Sequence, residues 1–201
     1  ELTARSGADV LVVNAGASLR YFSGVTWRAS ERLVAMILPA RGGDPVFICP
    51  AFEHGSLVAS LAVTGDIRCW EEHEDPFALA AAVLKELGAD RAAVDPEMAF
   101  GMAERLRRAA GRTELFPATA IIDGCRMRKS QAEIALMQQA KSMTLEVQRR
   151  AARILRPGIT TREVRQFIDD AHRRLGAEGS DFCIVLFGEA TSYPHGVPGE
   201  Q

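Results

Sequence analysis

The sequence predicts an α/β domain over residues 1–122, with a mixed sheet flanked by helices, followed over residues 123–201 by the start of a second, α+β domain. Three observations carry this. Short apolar runs rich in β-formers alternate with capped helix patterns in the first part. Gly42-Gly43-Asp44-Pro45 joins two of those runs as a hairpin turn. The pattern breaks near Pro117, after which long capped helices replace the alternation, so the boundary is placed between Pro117 and Lys129.

In order, Asp9 to Asn14 (DVLVVN), Leu33 to Leu38 (LVAMIL) and Val46 to Cys49 (VFIC) read as strands, the second and third as antiparallel neighbours across the hairpin turn. Ile67 to Trp70, Ala92 to Val94 and Thr113 to Phe116 are further strand candidates. Asp75-Pro76 supplies an N-cap and a proline at the first helical position. Phe77, Ala80, Val83, Leu84 and Leu87 then keep one face apolar until Gly88. Asp95-Pro96 is read as the same start before a helix over Met98 to Ala110. Tyr21 to Trp27 is read as an aromatic loop packing on the core.

Past the break, Ser130-Gln-Ala-Glu133 is a capping box, and Ile134, Met137, Ala140, Leu145, Val147, Ala151 and Ile154 mark a long helix ended by Arg156-Pro157-Gly158. Thr160-Thr-Arg-Glu163 is a second capping box, with Val164, Phe167, Ile168, Ala171 and Leu175 as its apolar stripe. Phe182 to Phe187 is expected to be a strand leading into a terminal loop. Two helices and one strand are too little to close a sheet-containing core, so this second domain is expected to be incomplete.

Composition is that of an ordinary globular chain, 47% hydrophobic and 25% charged. With 24 Lys plus Arg against 26 Asp plus Glu, the net charge of −2 gives no reason to expect nucleic acid or an anionic membrane as partner. The clusters Arg105, Arg107, Arg108 and Arg149, Arg150, Arg153 read as solvated helix faces. Cys49, Cys69, Cys125 and Cys183 form no CxxC pair, which fits neither a disulfide framework nor a zinc knuckle and implies a reducing, cytoplasmic setting. No apolar run approaches the ~18 residues of a membrane helix.

Chemistry-bearing residues are few. His54 sits at a helix start, and His73 stands in the acidic loop Glu71 to Asp75 without a second histidine at ligand spacing. His172 is expected on a helix surface. Asp169 and Asp170 point about 100° apart on a helix and form no carboxylate pair. Val12 to Gly16 ends a strand on a glycine but lacks the further glycines of a dinucleotide site, and no HExxH or GxSxG occurs. His195 differs. Pro194 biases Tyr193 toward extended geometry, and Gly196 lets another group approach closely, which suits an imidazole held at the mouth of a site.

The succession Arg126-Met-Arg-Lys-Ser-Gln-Ala-Glu133, Leu155-Arg-Pro-Gly-Ile-Thr-Thr-Arg-Glu-Val164, Gly176-Ala-Glu-Gly179, Phe187-Gly-Glu189 and Pro194-His195-Gly196 resembles the start of the α+β pita-bread domain of the creatinase, prolidase and aminopeptidase P family. The part before it, with Tyr21-Phe-Ser-Gly24, is similar to that family's N-terminal domain. The resemblance implies a cytoplasmic hydrolase, an Xaa-Pro peptidase of dipeptidase or aminopeptidase type, acting on proline-containing peptides and assembling as a homodimer. It implies His195 as a catalytic residue that hydrogen-bonds substrate beside a divalent metal pair (Mn, Co or Zn). An imidazole can donate to a developing charge or a departing nitrogen. The family's metal ligands (two Asp, one His, two Glu) match no residue up to Gln201, so no metal ligand is assigned and residues 1–201 alone are expected to be inactive. Two rivals share the fold: a creatinase-like hydrolase of a non-peptide C–N bond, and a non-catalytic binding protein. His195 does not separate the first rival from the peptidases.

Overall fold

The computed structural model describes residues 1–197 and 199–201; Pro198, part of the terminal loop, lies outside the described residues. The chain divides into two compact units, Glu1–Arg128 and Lys129–Gln201.

In the first unit the six expected strands form one sheet: β1 (Val10–Asn14), β2 (Ala35–Pro39), β3 (Val46–Pro50), β4 (Asp66–Trp70), β5 (Arg91–Val94) and β6 (Glu114–Pro117), in the order β4-β3-β2-β1-β5-β6. β2 runs antiparallel to β1 and β3, the latter across the Gly42 to Pro45 turn, while β3–β4, β1–β5 and β5–β6 are parallel. Alternation splits β1 between two cores. Val10 and Val12 face one side, Leu11 and Val13 the other. All four are buried, as a central strand covered on both faces requires.

Helices α4 (Pro76–Glu86) and α5 (Phe100–Ala110) contribute Phe77, Ala80, Leu84 and Leu106 to the first core. Full burial of a side chain such as Phe77 is worth about 1.5–3 kcal/mol. α1 (Leu2–Arg5), α2 (Ala17–Ser23), α3 (His54–Ser60) and α6 (Thr119–Arg126) cover the opposite face, supplying Leu19, Leu57, Ile121 and Ile122. Asp75 caps α4 as expected, Oδ1 accepting from Phe77 N at 3.1 Å. Arg105 donates to the same carboxylate at 3.0 Å and lies 4.3 Å from the Phe77 ring centre.

Two expectations change in this unit. Asp95-Pro96 does not open a helix. Asp95 Oδ1 accepts from Glu97 N and its carbonyl from Met98 N, closing one turn that is not continued, and α5 starts only at Phe100. Met98 is buried in the core instead. The Tyr21 to Trp27 stretch begins as helix, since α2 runs to Ser23 before Gly24 ends it. Tyr21 packs edge-on against Phe22 and donates to the Cys125 carbonyl at 3.0 Å. That bond and the burial of Ile121 and Ile122 hold α6 to the first sheet, so the compact unit runs past residue 122 to Arg128.

The second unit is built on α7 (Gln131–Ile154) and α8 (Thr161–Arg174). Both capping boxes form. Ser130 Oγ accepts from Glu133 N at 3.2 Å while Ser130 N donates back to Glu133 Oε2 at 2.7 Å; Thr160 and Glu163 repeat this at 3.2 and 2.9 Å. Val147, Ala151, Val164, Ile168 and Ala171 form the small core. Ile134, Met137 and Leu145, expected on the apolar stripe of α7, are exposed, and the helix buries its apolar face mainly at Val147 and Ala151. Residues 182–187 are not a strand. A strand exists only with a ladder partner, and none lies beside them among the described residues. Cys183, Val185 and Phe187 pack one side of that segment on the helix pair.

Candidate functional site

The site candidate grows from the end of α8. The chain passes through residues 182–187, makes a short 3-10 turn at Gly188–Ser192, and folds back at Tyr193–Gly196. Tyr193 takes the extended geometry that a following proline imposes, φ −108° and ψ 117°. Gly196 N donates to Tyr193 O at 2.9 Å and closes the turn around Pro194-His195. Gly196 has φ +80°, and a Cβ there would stand 2.7 Å from Leu186 Cδ2. The glycine is therefore required both by backbone conformation and by close approach of the preceding segment. His195 is exposed at the tip of this turn and hydrogen-bonds no other described residue. His195 is exposed on a bend closed by the Gly196–Tyr193 hydrogen bond.

A second histidine emerges within the same unit. His172, expected on the surface, is half-buried. Its Nδ1 donates to Ile168 O at 2.8 Å, since a carbonyl can only accept, and its Nε2 stands 3.5 Å from Thr144 Oγ1. It lines a cavity of about 390 Å³ with Met143, Thr144, Ser180 and Phe182. The signal was available: His172 lies one turn beyond Ile168, on the flank of the Val164-Ile168-Ala171 stripe. Asp169 is engaged rather than free. Ser180 N donates to it at 2.8 Å and Arg173 Nε at 2.9 Å, which hold its carboxyl below the usual range.

In the first unit, His54 opens α3 and His73 lies in the exposed turn before α4. Among the described residues no group of three or more His, Cys, Asp or Glu comes together in a way that could hold a metal ion. The residues present do not fit the metal pair the family resemblance implies. Most of the clustered arginines are in surface ion pairs: Arg107 and Arg108 both reach Glu104 on α5 and bring its carboxyl down to about 2, Arg105 pairs with Asp75, and Arg149 and Arg150 share Glu146 on α7. No helix of the described residues is long and apolar enough to cross a membrane.

This architecture has relatives. Residues 1–128 match the creatinase/prolidase N-terminal domain, and residues 135–201 match metallopeptidase family M24. The putative dipeptidase YkvY of Bacillus subtilis (strain 168) is 27% identical over 198 residues, covering 96% of this chain and 54% of its own length. The probable dipeptidase PepE of Mycobacterium tuberculosis (strain ATCC 25618 / H37Rv) is 33% identical over 197 residues, with 96% and 50% covered. The crystal structure of dipeptidase PepE from Mycobacterium ulcerans superposes with a TM-score of 0.83 at 31% identity, covering 97% of this chain and 53% of that one. The chain spans about half the length of the curated relatives it matches. Its mixed six-stranded sheet is the creatinase-type N-terminal fold, and the capped helix pair after it begins the pita-bread domain of prolidases. By its first 128 residues the chain belongs to the creatinase/prolidase N-terminal domain family, and it continues into a segment of metallopeptidase family M24.

Proposed function

We propose that this chain serves a peptidase that hydrolyses the bond before proline, of dipeptidase or aminopeptidase type, and that His195 is its catalytic residue within residues 1–201. The observation that carries the reading is the Pro194-His195-Gly196 turn, set behind two capped helices in a chain that resembles dipeptidases along nearly its whole length. Its exposed imidazole can donate a hydrogen bond to a carbonyl or to a departing nitrogen of a docked peptide. The resemblance also supports metal-activated water, a homodimer and a cytoplasmic setting. The described residues hold no donor set that fits such a metal.

The test is an assay of the full-length protein, supplied with Mn²⁺, on Xaa-Pro dipeptides, longer Xaa-Pro peptides and matched Xaa-Ala controls. Release of proline from the dipeptides, with His195→Ala lowering kcat/KM by roughly 10²–10⁴-fold, is expected. Selective cleavage of longer peptides assigns the aminopeptidase type. Metal-bound protein that cleaves none of these substrates sinks the peptidase reading.

A further inference from the structure

Cys49 and Cys69 occupy facing register positions on the parallel neighbours β3 and β4, and their sulfurs stand 3.9 Å apart. They differ in access. Cys49 is fully buried in the same core as Leu57, whereas Cys69 is exposed on β4, one of the two edge strands of the sheet. Neighbouring strands lie about 4.8 Å apart, and a disulfide joins Cα atoms roughly 4.4–6.8 Å apart. The strand spacing already lies within that range, so closure asks chiefly for side-chain rotation, on an edge strand with no further strand beside it among the described residues.

We propose that Cys49 and Cys69 form a dithiol that hydrogen peroxide oxidises, with Cys69 taking the oxidant and Cys49 resolving it as a disulfide within the sheet. In the first step the Cys69 sulfur attacks one peroxide oxygen. The O–O bond breaks, and the departing hydroxide leaves as water with the Cys69 proton, giving a sulfenic acid. In the second step the Cys49 sulfur attacks Cys69 Sγ. The S–S bond forms as the S–O bond breaks, and the departing hydroxide takes the Cys49 proton as a second water. Two thiols and one peroxide thus give one disulfide and two waters.

The order follows from access and from the state of the buried thiol. Burial first, then the neighbouring Cys69, pushes the Cys49 thiol up to about 12, so it is a poor first nucleophile. Held 3.9 Å from Cys69, it is nonetheless placed to intercept the sulfenic acid.

The experiment is peroxide treatment of the reduced full chain, then non-reducing digestion and mass spectrometry. The expected product links the peptides carrying Cys49 and Cys69, is lighter by two hydrogens, reverts with a thiol reductant, and leaves two of the four cysteines alkylatable. The Cys125→Ser/Cys183→Ser double variant is expected to give the same linkage. Cys69→Ser, exposed and so compatible with folding by circular dichroism, is expected to leave Cys49 a free thiol. Overturning results are a Cys69 that resists peroxide or runs on to sulfinic acid while Cys49 stays reduced, a linkage between other cysteines, or a linkage between chains.

Discussion

Gly196→Ala should disable His195 without touching its imidazole. A Cβ at φ +80° is strained, and it would also press on Leu186 Cδ2 at 2.7 Å, so the turn must open or Leu186 must move. The strain is worth about 1 kcal/mol, small beside the whole fold but large for one solvent-facing bend. In the full-length protein the expected outcome is a fall in kcat/KM with unchanged far-ultraviolet circular dichroism; undiminished activity would show that the bend does not position the imidazole. The bend itself was legible in the sequence, since proline and glycine act on the backbone within one residue of themselves. The half-buried state of His172 was missed, because it depends on Thr144, Ser180 and Phe182 converging from distant positions. The Cys49–Cys69 approach was hidden for the same reason: it appears only once the β3–β4 register is known.

At the scale of elements, the two capping boxes make a quantitative test. Thr160→Ala removes the oxygen that accepts from Glu163 N and is expected to cost about 1 kcal/mol, read as a lower urea midpoint of the second unit. The reciprocal partner adds a pH signature. Hydrogen bonds from Thr160 first, and the Arg156 charge behind them, lower the Glu163 carboxyl from its ordinary value of 4.5. A depressed carboxylate contributes stability that is fully present above that ordinary value and is lost as pH falls through the folded value. Glu163→Gln should therefore flatten the acid side of the amide-exchange profile for the first turn of α8, and an unchanged profile would deny the box this role. Such local signals explain why six strands, the β2–β3 hairpin and three caps could be read from sequence. The failures are equally physical. Asp95-Pro96 offers a cap, but Met98 gains more from the core than from a helix. Residues 182–187 have strand composition, yet strandedness belongs to a pair of segments and not to one.

For the whole molecule, the break near Pro117 points to a chain of two parts, while the fate of α6 depends on tertiary contacts that no local pattern announces. Its burial of Ile121 and Ile122, together with the Tyr21 bond to Cys125, decides where the first compact unit stops. The two units differ in how they shelter their chain. The first wraps its sheet in helices on both faces, and the second leaves residues 182–187 irregular, without a ladder partner among the described residues. In that stretch Phe182 lies outside any helix or strand and is 77% exposed, whereas Phe47 and Phe77 are each 1% exposed. The exposed Phe52 and Phe100 sit in helical turns and must unwind before they can be cut. Brief chymotrypsin treatment should therefore nick the chain first after Phe182, giving a fragment that starts at Cys183. A first cut at Phe52 or Phe100 would contradict this. The nick would sever the His195 turn from the helices that carry it, so the segment that delivers the imidazole is also where the protein is most easily cut.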